Sequence, residues 1–313
     1  MTILITGAAG FIGSHTVDRL LAEGHTVVGL DNLRTGHLEN LRAALSHDRF
    51  HFEHVDVTDV RQLDPVMSRT RPDAIIHLAA LVSVQESMAN PALNQWLNVE
   101  ATRVVAAAAT AHRVPRMVFS SSAAVYGDCA DLPLQESSPT HPLSPYGAAK
   151  LESENILFAC ARTRALSVVA FRYFNVYGLR QDAASPYSGV ISIFSRRLAA
   201  GQPATVFGDG GQTRDFIHVS DVARANAQAA TRPGLDLKNA LNICTGRPTS
   251  LNQLVKIFRS YYPDAPETVR AAARPGDIYH SCGQPAAAQT ALGFSAAVQI
   301  QDGLRDFAPT TAR

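Results

Sequence analysis

TILITGAAGFIGSHTVDRLLAEG, residues 2–24, decides the fold. Its first five residues are apolar and β-branched, a run short enough for a buried strand. Gly7, Gly10 and Gly13 follow at G-x-x-G-x-x-G spacing, and from Phe11 to Glu23 the period becomes helical, with Ile12, Val17, Leu20 and Leu21 on one side. Strand, glycine turn and helix in that order form an anion site. The glycines let backbone approach a pyrophosphate, and the helix amino terminus offers unpaired N–H groups and partial positive charge. The dinucleotide fingerprint is G-x-G-x-x-G, so the match is approximate.

Outward from this unit the same alternation recurs. Strands are expected over Thr26–Asp31, Phe50–Asp56, Ala74–Ala79, Met117–Ser122 and Ser167–Tyr173, with long helices over Pro91–His112 and Tyr146–Thr163. Strand–helix alternation predicts an α/β fold, a doubly wound parallel sheet of Rossmann type covered by helices on both faces. After Asn175 shorter elements take over, punctuated by Pro186, Gly189, Gly201, Pro203 and Gly208–Gly211; helices are expected at Val190–Ala200, Ser220–Thr231, Leu251–Tyr261 and Pro285–Leu292. The expected division is a dinucleotide-binding domain over 1–174, rejoined by 214–245, and a smaller α/β substrate lobe built from 175–213 and 246–313.

Composition narrows the function classes. A formal charge of +1 gives no electrostatic reason to bind nucleic acid or an anionic membrane, and no apolar run reaches spanning length. MTILITGAAG has no basic segment ahead of its apolar stretch, so no signal peptide is expected. Cys129, Cys160, Cys244 and Cys282 lie far apart without a C-x-x-C pair, which argues against metal or disulfides and for a reducing cytoplasm.

Asp31 ends the second strand, where its carboxylate can accept from a ribose diol and would repel a 2′-phosphate. NAD is therefore favoured over NADP, although Arg34 nearby weighs the other way, and a turn-capping aspartate is the bland alternative. Asp56 and Val57, ending the third strand, are placed to meet an adenine; an ordinary strand-end aspartate fits there too.

The run Met117–Val118–Phe119 ends in Ser120, Ser121 and Ser122, so a buried strand begins to present hydroxyls where the crevice of an open parallel sheet lies. Downstream, Tyr146 and Lys150 sit four apart behind Pro145, on one face of a helix start. A phenol beside an ammonium is a poised base. Bringing its pKa from ~10 to neutrality requires about 4 kcal/mol. One positive charge ~5 Å away at an effective dielectric of ~20 gives roughly 3 kcal/mol. Lys150 together with an oxidised nicotinamide suffices; neither alone does so comfortably. An amphipathic tyrosine on a helix surface is the plain alternative.

TGAAGFIG, LDNLRTG, IIHLAALVSVQES, VFSSSAAVYG, SPYGAAK, FRYFNVYG, TRDFIHVSDVA and ARPGD, in that order along almost the whole chain, resemble the extended short-chain dehydrogenase/reductases, specifically the UDP-glucose/UDP-N-acetylglucosamine 4-epimerase group. The resemblance implies Ser122, Tyr146 and Lys150 as catalytic residues, with Ser121 the alternative to Ser122 because the loop up to the tyrosine is one residue shorter than usual. It implies NAD contacts from Phe11 and Ile12 in the first turn and from Asp31, Asn32, Leu33, Arg34, Thr35 and Gly36. Further contacts map to Asp56, Val57, Leu78, Ala79, Ala80 and Asn98, and to Ser120, Ser121, Tyr146, Lys150, Tyr173 and Phe174. Substrate contacts map to Val82, Ser122, Ala123, Tyr146 and Asn175, then Val190, Ile191, Thr205, Val206, Phe207 and Arg214, and finally Arg274, Asp277 and Ser281. Val82 stands where many relatives have lysine, and Val190 where asparagine is common, leaving only backbone there.

The implied reaction is inversion at carbon 4 of a UDP-hexose through a transient 4-keto sugar. Dehydratases and uronate decarboxylases of the same fold place acidic residues just after the strand-end serine, where this chain has Ala123 and Ala124, so no carboxylate is there to move a proton. In 4-epimerases the position held here by Ser281 gates the space beside carbon 2, and a tyrosine there confines relatives to plain hexoses. Serine leaves room for an N-acetyl group, and interconversion of UDP-GlcNAc with UDP-GalNAc is expected alongside UDP-Glc with UDP-Gal. Epimerases restricted to UDP-glucose or acting on UDP-uronate remain alternatives. A non-catalytic NAD-binding sensor on the same fold is another, although such a protein would lose the tyrosine or lysine. Relatives pair the two long helices with a partner's, which implies a homodimer; the small residues Val104–Ala109 would permit close helix approach. An alanine-rich helix packed on its own sheet is the alternative.

Overall fold

The computed structural model describes residues 1–163, 166–182, 189–273 and 278–308. The chain starts β1 (Thr2–Thr6), α1 (Phe11–Ala22), β2 (Thr26–Asp31), β3 (Phe50–His54), α2 (Val60–Thr70) and β4 (Ala74–His77). It continues through the short α3 (Val84–Ala89) and α4 (Pro91–Asn94), then α5 (Ala101–Ala111), β5 (Arg116–Ser122), α6 (Pro145–Thr163) and β6 (Ser167–Tyr173). Beyond these lie β7 (Asn175–Tyr177), α7 (Val190–Ala199), β8 (Thr205–Phe207), β9 (Thr213–His218), α8 (Val219–Thr231) and β10 (Leu241–Ile243). The last elements are β11 (Pro248–Ser250), α9 (Leu251–Tyr261), β12 (Val269–Ala271), α10 (Ala286–Leu292) and α11 (Ile300–Leu304).

Seven parallel strands in the order β10-β6-β5-β4-β1-β2-β3 form the main sheet. Side chains alternate across a strand, and the sequence supplies apolar residues for both faces. Ile3 and Ile5 face α1 and α8, packing with Val17, Leu20 and Val222. Leu4 points the other way, into a layer with Leu63 and Met67 of α2, Val105 of α5 and Leu157 of α6. Each such side chain, fully buried, stabilises the fold by about 1.5–3 kcal/mol. The strand order reverses between β1 and β4, which opens a crevice at their carboxyl ends.

Two features differ from expectation. β9 does not join the main sheet. It lies between β7, parallel, and β11, antiparallel, so the return of 214–245 runs through α8 and β10 alone. The helix expected over Pro91–His112 runs without interruption from Pro91 to Ala111, but its middle is a π segment at Gln95–Glu100 between α4 and α5. The smaller lobe packs α7, α9 and α11 around Phe194, Val206, Phe216, Leu254 and Phe258. β8 pairs with β12 beside it, and a Ser250–Gln253 capping box starts α9. Among the described residues no helix is long and apolar enough to cross a membrane.

Candidate active site

The glycine turn leaves no room for side chains. Gly7 has φ +71°, and a Cβ on it would stand 2.7 Å from the Ala79 nitrogen; one on Gly13 would stand 2.0 Å from the Gly7 oxygen. α1 thus starts hard against the ends of β1 and β4, its amino terminus facing the crevice. Asp31, buried at the end of β2, accepts from Ala9 N at 2.9 Å and Leu33 N at 2.8 Å. Burial holds its carboxyl above the usual carboxylate range against the pull of those two N–H groups. Asn32 Nδ2 donates to Asp56 at 3.1 Å, joining the ends of β2 and β3. Arg34 forms an ion pair with Glu86 on α3, so its charge is committed across the crevice.

His77, unremarked within IIHLAA, sits under this cradle. Thr6 Oγ1 accepts from Leu78 N and Ala79 N, both at 3.2 Å, so its hydroxyl must donate to His77 Nδ1 at 2.7 Å. The ring proton therefore resides on Nε2 and points to Thr102 Oγ1 at 3.3 Å, whose own hydroxyl donates to the Asn98 carbonyl at 2.6 Å. Burial first, and Lys150 second, hold His77 down at about 3, a neutral relay. Asn98, inside the π segment, gives its amide nitrogen to Leu81 O and Asn94 Oδ1, while its buried Oδ1 has no protein partner. An orphaned acceptor and a side-chain-free phosphate turn at one crevice fit a dinucleotide.

On the opposite wall the serine trio divides. Ser121 is buried, and its hydroxyl donates to Glu154. Ser122, half-buried, accepts from Ala124 N at 3.1 Å and hydrogen-bonds the Tyr146 phenol. Lys150, buried one turn beyond Tyr146, donates Nζ to the Ser120 carbonyl at 2.8 Å and lies 5.8 Å from the Tyr146 ring centroid. Burial lowers the ammonium to about 7, with Glu154 pulling it back up. Burial also pushes the Tyr146 phenol up, offset in part by Ser122.

Other expected contacts reduce to backbone. The Tyr173 hydroxyl is spent on Asn226 at 2.6 Å, Val57 packs in the main core, and Ile191 and Val206 pack in the core of the lobe. Asn175 and Val82 are exposed, Val190 is partly buried against the lobe core, and Phe207 O accepts from Gln212 Nε2 at 2.7 Å. Gln212, absent from the expected set, keeps a buried Oε1 without a protein partner. Arg214 folds its guanidinium back to Thr213 O at 2.9 Å. Ser281 N donates to Thr213 O at 3.1 Å, and Thr213 N donates to Tyr279 O at 2.9 Å, which stitches the segment around Ser281 onto β9. Arg274 and Asp277 lie outside the described residues.

The alanines of α5 divide: Ala101, Ala106, Ala108 and Ala109 are buried, and Ala107 and Ala111 are exposed. Ala106, Ala108 and Ala109 pack on the main sheet, whereas Ala107 stays outward with Trp96 and Arg103, and Val104 is half-buried.

A family model for the NAD dependent epimerase/dehydratase family matches residues 3–244. A UDP-glucose 4-epimerase of Mycolicibacterium smegmatis is 38% identical, the match covering 97% of this chain and 96% of that protein. A UDP-N-acetylglucosamine 4-epimerase from Methanobrevibacter ruminantium M1, solved with UDP-N-acetylmuramic acid, superposes with a TM-score of 0.92 at 34% identity, covering 98% of this chain and 96% of the other. The UDP-glucose 4-epimerase of Thermus thermophilus, solved with NAD, gives 0.88 at 34% identity, with 98% and 99% covered.

Proposed function

The chain belongs to the NAD dependent epimerase/dehydratase family and is an NAD-dependent UDP-hexose 4-epimerase, and we propose that it interconverts UDP-GlcNAc with UDP-GalNAc as well as UDP-Glc with UDP-Gal. NAD would be held by the Gly7–Gly13 turn, Asp31 and Asn98, and would supply the hydride acceptor and donor that inversion at carbon 4 requires. The chain's own groups manage protons and position. Tyr146 removes the proton of the 4-hydroxyl, with Ser122 bridging phenol and sugar oxygen, and gives it back when the hydroxyl re-forms. The Lys150 ammonium, fixed on the Ser120 carbonyl, stabilises the phenolate form. The lobe grips the nucleoside diphosphate through Arg214 and, in this reading, Arg274, so that the hexose can turn over while the uridine end stays fixed.

The observation that carries the substrate range is Ser281. Its backbone is pinned to Thr213, beside Arg214, and its side chain is small where a tyrosine would fill the space at carbon 2. Forcing an N-acetyl group against a tyrosine costs on the order of 1–3 kcal/mol in overpacking, roughly 5- to 150-fold in kcat/KM. Ser281→Tyr is therefore expected to lose that much activity on UDP-GlcNAc and keep UDP-glucose turnover. Undiminished N-acetyl activity in the variant defeats the reading. Outward-facing Trp96 between α4 and α5 supports a homodimer through this helix and α6, which sedimentation of Trp96→Glu tests by yielding monomer. Four free thiols fit a reducing compartment.

A further inference from the structure

Helix α6 buries charge where a helix on a parallel sheet normally buries carbon. Tyr146, Lys150 and Glu154 recur every four residues along the face that meets β5 and β6, and Glu154 is 3% exposed. Arg172 of β6, itself buried, grips Glu154 with both forks: Nε to Oε1 at 3.0 Å and Nη2 to Oε2 at 2.7 Å. The Ser121 hydroxyl donates to the same carboxylate. The remaining Arg172 nitrogen donates to Tyr126 OH at 3.0 Å and Glu136 O at 3.3 Å, and Tyr126 OH donates to Asn242 Oδ1 at 2.7 Å. The network is satisfied throughout, yet a buried ion pair adds little stability over apolar residues of the same shape. Its position supplies the better reason, because its two free ends are the catalytic lysine and the strand that presents Ser122.

We propose that Glu154, held by Arg172, is a positioning residue for the reaction: it anchors Ser121, and through it the strand end that aims Ser122, and it is the counter-ion one turn along the buried face of α6 from the Lys150 ammonium. This rests on the assignment of Tyr146, Lys150 and Ser122 given above. The groups around Lys150 leave this task to one anion. From its own helix it faces Tyr146 and Glu154; from β4, His77, which stays neutral; from β5, the Ser120 carbonyl; and from β6, behind Glu154, the Arg172 cation. With Glu154 neutralised, two cations share one dry site and the lysine is the one able to lose its proton.

The test is Glu154→Gln in the holoenzyme. Glutamine keeps the shape and an acceptor for Ser121 while removing the charge. The expected result is a fall in kcat of about tenfold or more with KM within about threefold. The alkaline limb of the kcat–pH profile should move to lower pH by about one unit, because an ammonium without its anion deprotonates earlier. Glu154→Asp, which restores the charge, should return that limb toward its original position. A folded, NAD-loaded Glu154→Gln enzyme with unaltered kcat and alkaline limb overturns the proposal. Should Glu154→Gln fail to fold, Ser121→Ala leaves the ion pair intact and removes only the anchor. It is expected to lower kcat by roughly three- to tenfold at constant KM, and unaltered kcat overturns the proposal in that case. Tyr146→Phe run in parallel separates the two readings: an active Tyr146→Phe breaks the base assignment, whereas an inactive one beside fully active Glu154 and Ser121 variants breaks only the role of Glu154.

Discussion

Around Tyr146, side chains hold side chains. Ser121, Glu154, Arg172, Tyr126 and Asn242 form one buried network, and Lys150 is bolted to the Ser120 carbonyl. At Ser281 itself, main chain holds main chain. The gate segment is held by Thr213 on one side and Leu134 on the other, with Leu134 N donating to Cys282 O and Gln284 N to Leu134 O, both at 2.8 Å. The first arrangement depends on the identity of nearly every residue in it. The second fixes a backbone path and leaves the side chain at 281 open to change. On the proposed assignment, chemistry is built where substitution is costly, and substrate width where it is cheap.

The largest expected effect tests the first half of this contrast. Tyr146→Phe removes the proton acceptor and nothing else that the network uses, since neither Lys150 nor Glu154 bonds the phenol oxygen. A loss in kcat of about 10²–10⁴ is expected, with NAD content unchanged by ultraviolet absorbance of the purified protein. Turnover close to that of the parent would mean that the rigid wall is scaffolding and the base lies elsewhere.

A smaller effect compares tolerance directly. A single methyl group at Gly13 must displace the Gly7 carbonyl, 2.0 Å from the new carbon, and with it the phosphate turn. Gly13→Ala is expected to cost about 1–3 kcal/mol of stability or more and to purify with less bound dinucleotide. A whole phenol ring added at Ser281 should leave folding and NAD content untouched. Thermal unfolding of the two variants side by side decides the matter; equal losses would erase the distinction between the two regions.

How much of this the sequence disclosed follows from the range of the interactions. β1, its glycine turn and α1 are local and periodic, and the first of the resemblance motifs lies on them. The order of the serines' roles is not local. Ser121 shares a sheet face with Phe119, and only the packing of α6 reveals that this face holds Glu154. Glu154 itself reads as solvated charge on a helix, since nothing nearby announces Arg172. The π segment carrying Asn98 left no signal in residue type, and His77 reads as an isolated core imidazole until the Thr6 and Thr102 hydroxyls close on it. β9 opens the segment expected to rejoin the main sheet and pairs elsewhere instead; its partners β7 and β11 are too short to be recognised by period.

The smallest effect probes what holds the gate. Asp215, fully buried on β9, gathers three segments: Oδ1 accepts from Thr245 N at 2.8 Å and Thr245 Oγ1 at 2.6 Å, and Oδ2 from Gly246 N at 2.9 Å and Gly283 N at 3.3 Å. Burial keeps its carboxyl above the usual range despite these donors, so the parent loses a little stability as pH rises through the region just above that range. Asp215→Asn removes this pH dependence. It also turns an NH₂ toward the Gly246 and Gly283 N–H groups, and leaving such donors unmatched costs about 1–3 kcal/mol. Because Gly283 lies two residues beyond Ser281, the gate should loosen before the catalytic wall does. The expected readout is a change of about threefold in the kcat/KM ratio of UDP-GlcNAc to UDP-glucose, with kcat on UDP-glucose held. If the melting temperature falls and the ratio stays fixed, the hydrogen bond from Ser281 to Thr213 and the clasp at Leu134 hold the gate without Asp215, and backbone pairing alone sets the substrate width.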